Sequence, residues 1–254
     1  MSRLQVLGII PARYASTRFP GKPLVKIGNK TMIERVYSRA IMADCFDHVL
    51  VATDDQRIFQ HVNSFGGNVL LTSGMHETGT DRCIEALELY ESQKGTTPDV
   101  IVNIQGDEPF VEPEVLKSLV QVFQLENTVQ IATLATKFSN IEDIQNPNRI
   151  KIVCDLYQNA LYFSRSVIPF PFKSNELSNY LKHIGVYAFK SDILKKIKEL
   201  KPTLLEKIES LEQLRWMQNG LKIKVVFTEY NSINIDTPED LENILNVYKD
   251  QLND

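Results

Sequence analysis

Cysteine is scarce in this chain and badly placed for pairing. Only Cys45, Cys83 and Cys154 occur in 254 residues, far apart and without a CxxC spacing. An odd, scattered set excludes a disulfide framework or a thiolate zinc site and predicts reduced thiols in a cytoplasmic protein. Histidine is nearly as sparse: His48, His61, His76 and His183 show no HExxH or comparable ligand spacing. No run approaches the roughly 18 apolar residues of a membrane span, and the N-terminus enters a strand pattern without a charged-then-apolar leader. Surplus positive charge is missing as well. A net charge of −4 argues against broad capture of nucleic acid or an anionic membrane, so the cations that matter are concentrated locally.

Three signatures are also absent. There is no GxxxxGK[ST] loop, because Gly21-Lys22 is followed by Pro23 and lacks the upstream glycine. No GxGxxG follows the first strand, which removes the usual signal of a dinucleotide oxidoreductase, and no GxSxG elbow supports an α/β-hydrolase. Nucleoside triphosphate chemistry without a Walker loop is what remains.

A content of 43% hydrophobic and 24% charged residues describes an ordinary folded chain. Strand-like runs at 4–10, 48–52, 68–71 and 100–104 alternate with helical periodicity over 32–43, 57–65, 81–90 and 113–123. That alternation predicts an α/β fold with a mostly parallel sheet flanked by helices. The second half has strand runs at 129–136, 150–154, 160–163 and 184–189 with less helix between them, which suggests a mixed or antiparallel extension. An exposed loop is expected over Pro169-Phe170-Pro171-Phe172 and the polar stretch 173–179. A helix over 204–218 places Leu204, Ile208, Leu211 and Leu214 on one face and ends at Asn219-Gly220. A strand over 223–227 follows, then one over 232–235, and the last helix is capped by Thr237 with Pro238 at its first position. The expected organisation is one domain, 1–254. Its core comprises about 1–125 and 220–254, and a β-rich lobe takes up 126–219.

The loop Ile10-Pro11-Ala12-Arg13-Tyr14-Ala15-Ser16-Thr17-Arg18-Phe19-Pro20-Gly21-Lys22 leaves the first strand at the carboxyl edge of the sheet, where open α/β folds bind ligands. Arg13, Arg18 and Lys22 beside small residues suit a polyphosphate. Asn103-Ile104-Gln105-Gly106-Asp107-Glu108-Pro109 puts Asp107 just past another buried strand, a place for a carboxylate that carries Mg²⁺. Asp236 occupies a similar place before a helix start, with Thr237 already supplying the cap. In Thr53-Asp54-Asp55, Asp55 reads as a helix cap and Asp54 stays undecided. Gly79-Thr80-Asp81-Arg82 opens a helix at a glycine turn where a base or phosphate could meet backbone amides. From spacing alone Arg82 is better read as an exposed helix residue, His183 as a satisfied strand histidine, and Glu212 and Gln213 as a helix's polar face.

Taken together, IPARYASTRFPGKPL, VATDD, GTDR, NIQGDEP, ALYFSR, HIGVYAF, LEQLR and DTPEDL resemble, in order and over nearly the whole chain, the 3-deoxy-manno-octulosonate cytidylyltransferase family. The resemblance implies a nucleotide-diphospho-sugar transferase-like fold whose second half binds sugar and dimerises. It implies transfer of CMP from CTP to 3-deoxy-D-manno-octulosonate (Kdo) for lipopolysaccharide assembly, with Mg²⁺ as cofactor and neither nucleic acid nor membrane as partner. On it, Arg13, Lys22, Asp107 and Asp236 are catalytic, the two acids as metal ligands. Arg13, Ser16, Arg18, Lys22, Thr53, Thr78, Gly79 and Gln105 hold the nucleotide. Arg82, Gln105, Arg165, His183, Tyr187, Glu212 and Gln213 hold the sugar, Arg165 by its planar fork on the carboxylate. A homodimer is implied, with the β-rich second half as its interface, to which the sequence itself adds only the exposed apolar stretch 168–172. Thr31 stands where many members have proline, Asn234 where glycine-rich variants occur, and Thr78 where serine is common, adding a methyl near the expected base pocket. The same chemistry on 8-amino-Kdo or a nonulosonate, and a silent sugar-nucleotide-binding subunit, stay open. A glycosyltransferase would usually show a DxD pair, which Gly-Asp-Glu fits poorly.

Overall fold

A computed structural model describes residues 3–15, 19–173, 176, 180–231, 235 and 237–247. The chain forms two compact units, Met1–Lys117 with Ser232–Asp254, and Ser118–Asn231.

In the first unit β1 (Val6–Ala12) leads through a short 3-10 turn (Lys22–Leu24) into a hairpin of β2 (Lys26–Ile27) and β3 (Lys30–Thr31). Then come α1 (Met32–Met42), β4 (His48–Thr53), α2 (Gln56–Ser64), β5 (Val69–Leu71), α3 (Gly79–Lys94), β6 (Val100–Asn103) and α4 (Pro113–Leu125), along which the chain passes into the second unit. The strands run β5-β4-β1-β6, all parallel, with Ile9 opposite both Leu50 and Asn103. Nearly every residue of β1 and β6 is buried, as expected of strands covered on both faces. Helix α1 buries Met32, Ile33, Val36, Tyr37 and Ala40, one apolar stripe at helical spacing. Its cap is Thr31, whose hydroxyl accepts from the Glu34 amide. Asp55 caps α2 by accepting from the Arg57 amide. Helix α3 starts two residues before the expected 81 because Thr78 and Asp81 form a reciprocal capping box.

The second unit continues with β7 (Ile131–Lys137), α5 (Ile141–Gln145), β8 (Lys151–Cys154), β9 (Ala160–Ser164), β10 (Leu181–Lys190), α6 (Ser191–Lys198), α7 (Leu204–Glu209), α8 (Gln213–Gln218) and β11 (Ile223–Phe227). Strand β10 pairs antiparallel with β7 and β8, β8 antiparallel with β9, and β11 parallel with β7. Strand β11 therefore lies with the second unit, whereas the sequence reading put it in the core. Helix α9 (Pro238–Val247) closes the chain in the first unit, with Thr237 accepting from the Asp240 amide. The expected strand 232–235 falls largely outside the described residues, as does much of 173–179.

The single helix expected over 204–218 is broken. Ser210 turns left-handed at φ 51°, ending α7 before α8 begins. Leu211 and Leu214 are buried as the amphipathic pattern requires, but Leu204 and Ile208 are 68% and 70% exposed. The periodicity is continuous in sequence and discontinuous in space. Helices α5 and α6 were not foreseen: α5 is little more than one turn, and the four lysines in or beside α6 dilute the signal of buried Ile193, Leu194 and Ile197.

Candidate active site

A pocket of about 220 Å³ opens in the first unit at the carboxyl edge of β1 and β6, beside the N-terminus of α3. Gly106 makes the edge tight. A Cβ there would stand 2.8 Å from the Pro11 carbonyl oxygen, so only glycine lets the two strand exits approach this closely. Gly21, at φ 72°, closes the loop after β1 by donating its amide to the Tyr14 carbonyl, with the Tyr14 ring packed against it. The 3-10 turn that follows brings Lys22 Nζ to 2.8 Å from Asp107 Oδ2.

Seven of the expected residues thereby share one pocket: Arg13, Lys22, Thr78, Gly79, Arg82, Gln105 and Asp107. Gly79 is the first residue of α3 and Thr78 its cap, so the positive end of the helix faces the same space as the cations. The extra methyl of Thr78 costs the cap nothing, since its hydroxyl accepts from the Asp81 amide at 3.1 Å. Ser16, Arg18 and Asp236 lie outside the described residues. Ile235, next to Asp236 in sequence, donates its amide to the Asp107 carbonyl at 3.2 Å.

Two expectations in this unit change. Thr53 is not on the pocket wall; it is fully buried at the end of β4, where its hydroxyl accepts from the Asp55 amide. Arg82, which spacing favoured as exposed, is buried on the wall. Its guanidinium donates to Thr72 Oγ1 at 2.6 Å and to the Ser73 carbonyl, and pairs with Asp54 at 3.2 Å. That pairing gives Asp54 its role: its carboxylate offsets a charge that burial would otherwise penalise.

His76 and Glu77 also line the pocket and were not singled out from the sequence. His76 Nε2 contacts Glu85 Oε2, which accepts the Ser73 amide as well. Burial acts to raise the Glu85 pKa, but the His76 and Ser73 hydrogen bonds outweigh it and hold the carboxyl below its ordinary range. The only available signal was position, a histidine shortly before a capped glycine helix start; searching for metal spacing passes over it.

The remaining expected residues belong to the second unit. Arg165 Nε donates to the Glu209 carbonyl at 2.6 Å, and its other nitrogens to the carbonyls of Pro147 and Ser210. Three of its five N–H groups are thus committed to backbone. His183 stacks edge-on against Phe163, and its Nε2 lies 3.0 Å from Thr133 Oγ1. Burial lowers its pKa from 6.5 to about 3, so it is neutral near pH 7. Because the Thr133 hydroxyl donates to the Val186 carbonyl at 2.9 Å, it accepts from the imidazole, which sets the proton on Nε2. Tyr187 packs edge-on against Trp216, and burial first, then the Glu212 charge, raises its pKa. Glu212 accepts from Arg215 at 2.7 Å, and Gln213 is buried at the first position of α8. The polar-face reading of these two therefore gives way for Gln213, because the break at Ser210 resets the helix phase.

Among the described residues no group of three or more metal-ligating side chains occurs. An arrangement of fixed cations, a helix N-terminus and one carboxylate can bind a polyphosphate and stabilise charge moving onto its oxygens.

The cytidylyltransferase family model matches residues 7–223. Two curated relatives, the 3-deoxy-manno-octulosonate cytidylyltransferases of Fusobacterium nucleatum and Parabacteroides distasonis, are each 49% identical to this chain. The first aligns over 97% of this chain and 98% of its own, the second over 95% and 97%. A solved CMP:2-keto-3-deoxy-manno-octonic acid synthetase complexed with CTP matches with a TM-score of 0.90 at 38% identity, covering 97% of this chain and 99% of that one. A 4-diphosphocytidyl-2C-methyl-D-erythritol synthase from Anaerococcus prevotii, at TM-score 0.62 and 16% identity over 98% of this chain and all of its own, shares the fold alone.

Proposed function

The chain belongs to the cytidylyltransferase family, among the 3-deoxy-manno-octulosonate cytidylyltransferases, and we propose that it transfers CMP from CTP to Kdo, giving CMP-Kdo and pyrophosphate. The observation that carries this reading is the gathering of Arg13, Lys22, Gln105 and Asp107 with the capped start of α3 on one pocket. Arg13 and Lys22 hold the triphosphate and offset the charge that builds on departing pyrophosphate. Phosphoryl-type transfer depends mainly on such positioning and electrostatics. The Thr78–Gly79 start of α3 offers backbone amides at the same wall, and the pairing of buried Arg82 with Asp54 keeps that wall in place.

The donor set fits magnesium. Asp107 offers a hard carboxylate, one-quarter exposed on the pocket, and Mg²⁺ takes one or two carboxylates with phosphate oxygens and water. Asp107 would hold it, with Asp236 as the second acid. Bound there, the ion neutralises triphosphate charge and makes the sugar's 2-hydroxyl more acidic. Lys22, paired with Asp107 at 2.8 Å, keeps that carboxylate aimed at the pocket.

Sugar binding falls to the second unit through Arg165, His183, Tyr187, Glu212 and Gln213. With His183 neutral and its proton on Nε2, the ring is a fixed hydrogen-bonding group and not a charge. The protein acts as a homodimer in the cytoplasm and activates Kdo for lipopolysaccharide assembly. Exposed Leu156, Tyr157, Leu161, Phe170 and Phe172, all in the second unit, support an interface there, and three cysteines that form no disulfide support a reducing compartment. No described helix is long and apolar enough to cross a membrane.

The test is pyrophosphate release from CTP and Mg²⁺ with Kdo, 8-amino-Kdo and N-acetylneuraminate in parallel. Release with Kdo well above the other two is expected. Release with none of them would overturn the reading. A monomer mass by light scattering at micromolar concentration would overturn the dimer.

A further inference from the structure

In the second unit one residue grips Arg165 at both its main chain and its side chain. The Glu209 carboxyl accepts the Arg165 amide through Oε2 at 2.9 Å, and the Glu209 carbonyl accepts from Arg165 Nε at 2.6 Å. The other carboxyl oxygen, Oε1, accepts from Ser164 Oγ at 2.7 Å, so the residue before Arg165 is tied down as well. The remaining guanidinium contacts run to the carbonyls of Pro147 and Ser210. Pro147 sits in a loop that buried Lys151 fastens, its ammonium donating to the carbonyls of Asn146, Arg149 and Arg165. An ordinary surface arginine loses side-chain freedom when it takes a ligand, whereas this one has lost it on folding. Those contacts leave, among the described residues, one N–H on each terminal nitrogen of a half-buried guanidinium. Two N–H groups from two nitrogens match the two oxygens of a carboxylate.

We propose that Glu209 is a positioning residue for the sugar acid, acting through Arg165: it presets the guanidinium so that the two uncommitted N–H groups meet the carboxylate without reorganisation. Glu209 itself touches no substrate in this scheme. Removing its carboxyl frees the Arg165 main chain and Ser164, and the arginine then has to be ordered by the ligand. That cost falls on binding of the acid in ground state and transition state alike, and leaves the nucleotide side untouched. The proposal rests on the reading that Arg165 takes the carboxylate of Kdo.

Steady-state pyrophosphate release tests it, with Kdo varied at saturating CTP and CTP varied at saturating Kdo, in the wild-type protein, Glu209→Ala, Glu209→Gln and Arg165→Ala. Glu209→Ala is expected to raise KM for Kdo about tenfold, with kcat and KM for CTP within about twofold of wild type. Glu209→Gln keeps an oxygen for the Arg165 amide and an N–H for Ser164 Oγ, and should restore most of the affinity. A merely architectural role would lower the folded fraction, and with it the apparent kcat, while leaving both KM values in place. Should Glu209→Ala fail to fold by circular dichroism, Glu209→Asp, one methylene short of the Arg165 amide, decides the matter by the same criterion. A KM for Kdo within about twofold of wild type, or a KM for CTP that rises in step with it, would overturn the proposal. If Arg165→Ala also leaves the KM for Kdo unchanged, the assignment of Arg165 to the sugar falls as well; a rise in Arg165→Ala alone removes only the role of Glu209. Without release by the wild-type protein, the reaction and the proposal fall together.

Discussion

In the first unit Arg13 and Lys22 stand on an open pocket beside Asp107, whereas in the second the largest cations are turned onto the chain's own backbone. Lys151 is fully buried, and its ammonium donates to the carbonyls of Asn146, Arg149 and Arg165. Burial, reinforced by the charge of Arg165, lowers its pKa. Glu209 accepts from Ser164 and from the Arg165 amide, completing a network that ties the 146–149 loop to the end of α7. The lesson is that charge type says little about charge use. One unit keeps its cations poised for a ligand; the other uses them to hold irregular backbone that has no sheet or helix partners.

The contrast can be broken by substitution. The largest effect is expected at Asp107→Ala or Lys22→Ala, where pyrophosphate release should fall by about a thousandfold with little change in urea midpoint. A loss under about tenfold would mean that the charges at this pocket do not carry the transfer. Next is Lys151→Met, which removes the ammonium from three carbonyls and should cost about 3 kcal/mol of stability in urea unfolding. An unchanged midpoint would show that water replaces the ammonium and that the network is not structural.

His183 sharpens the comparison through pH. Its folded pKa, about 3, lies below the ordinary 6.5, so the unfolded chain binds the extra proton between those values. Its contribution to stability is complete above about pH 6.5 and is lost as pH falls toward 3, with a slope of up to about 1.4 kcal/mol per unit. His183→Gln should remove one proton's worth of that slope in denaturant titrations at successive pH values. The same slope in both proteins would mean that the ring is protonated when folded.

The smallest effects are at the caps. Thr78→Ala at α3 and Asn140→Ala at α5 each remove a hydroxyl or amide oxygen that accepts a helix amide, costing about 1 kcal/mol. Only Thr78→Ala should also weaken CTP binding, because only that cap faces the pocket. Equal CTP affinity in the two variants would separate the start of α3 from the ligand.

The sequence was most legible where one pattern had one cause. The strands β1, β4, β5 and β6 and their helices followed from alternation of buried runs, and the glycine-bearing loops marked the strand exits that carry Lys22 and Asp107. Residues whose role depends on distant partners were hidden. Arg82 looked exposed because Asp54 and Thr72, its partners, come from other elements. His76 went unnoticed because Glu85 lies across a loop from it, and Ser210 broke a helix that periodicity drew as continuous. Thr53 is buried at a strand end and off the pocket wall, a distinction that one dimension does not carry. On the sugar side, the family resemblance alone raised His183, Glu212 and Gln213 above ordinary core and surface residues.

The contact between Gly106 and the Pro11 carbonyl carries a lesson for redesign. That seam, with room for a hydrogen and none for a methyl, couples the loop bearing Lys22 to the loop bearing Asp107. Any larger residue at 106 would push apart the base of the cationic arm and the base of the acidic one in a single stroke. Attempts to retune this scaffold for another nucleotide should therefore vary the segment from Thr72 to Thr78 and treat the seam as fixed tooling, the gauge against which everything else in the pocket is set.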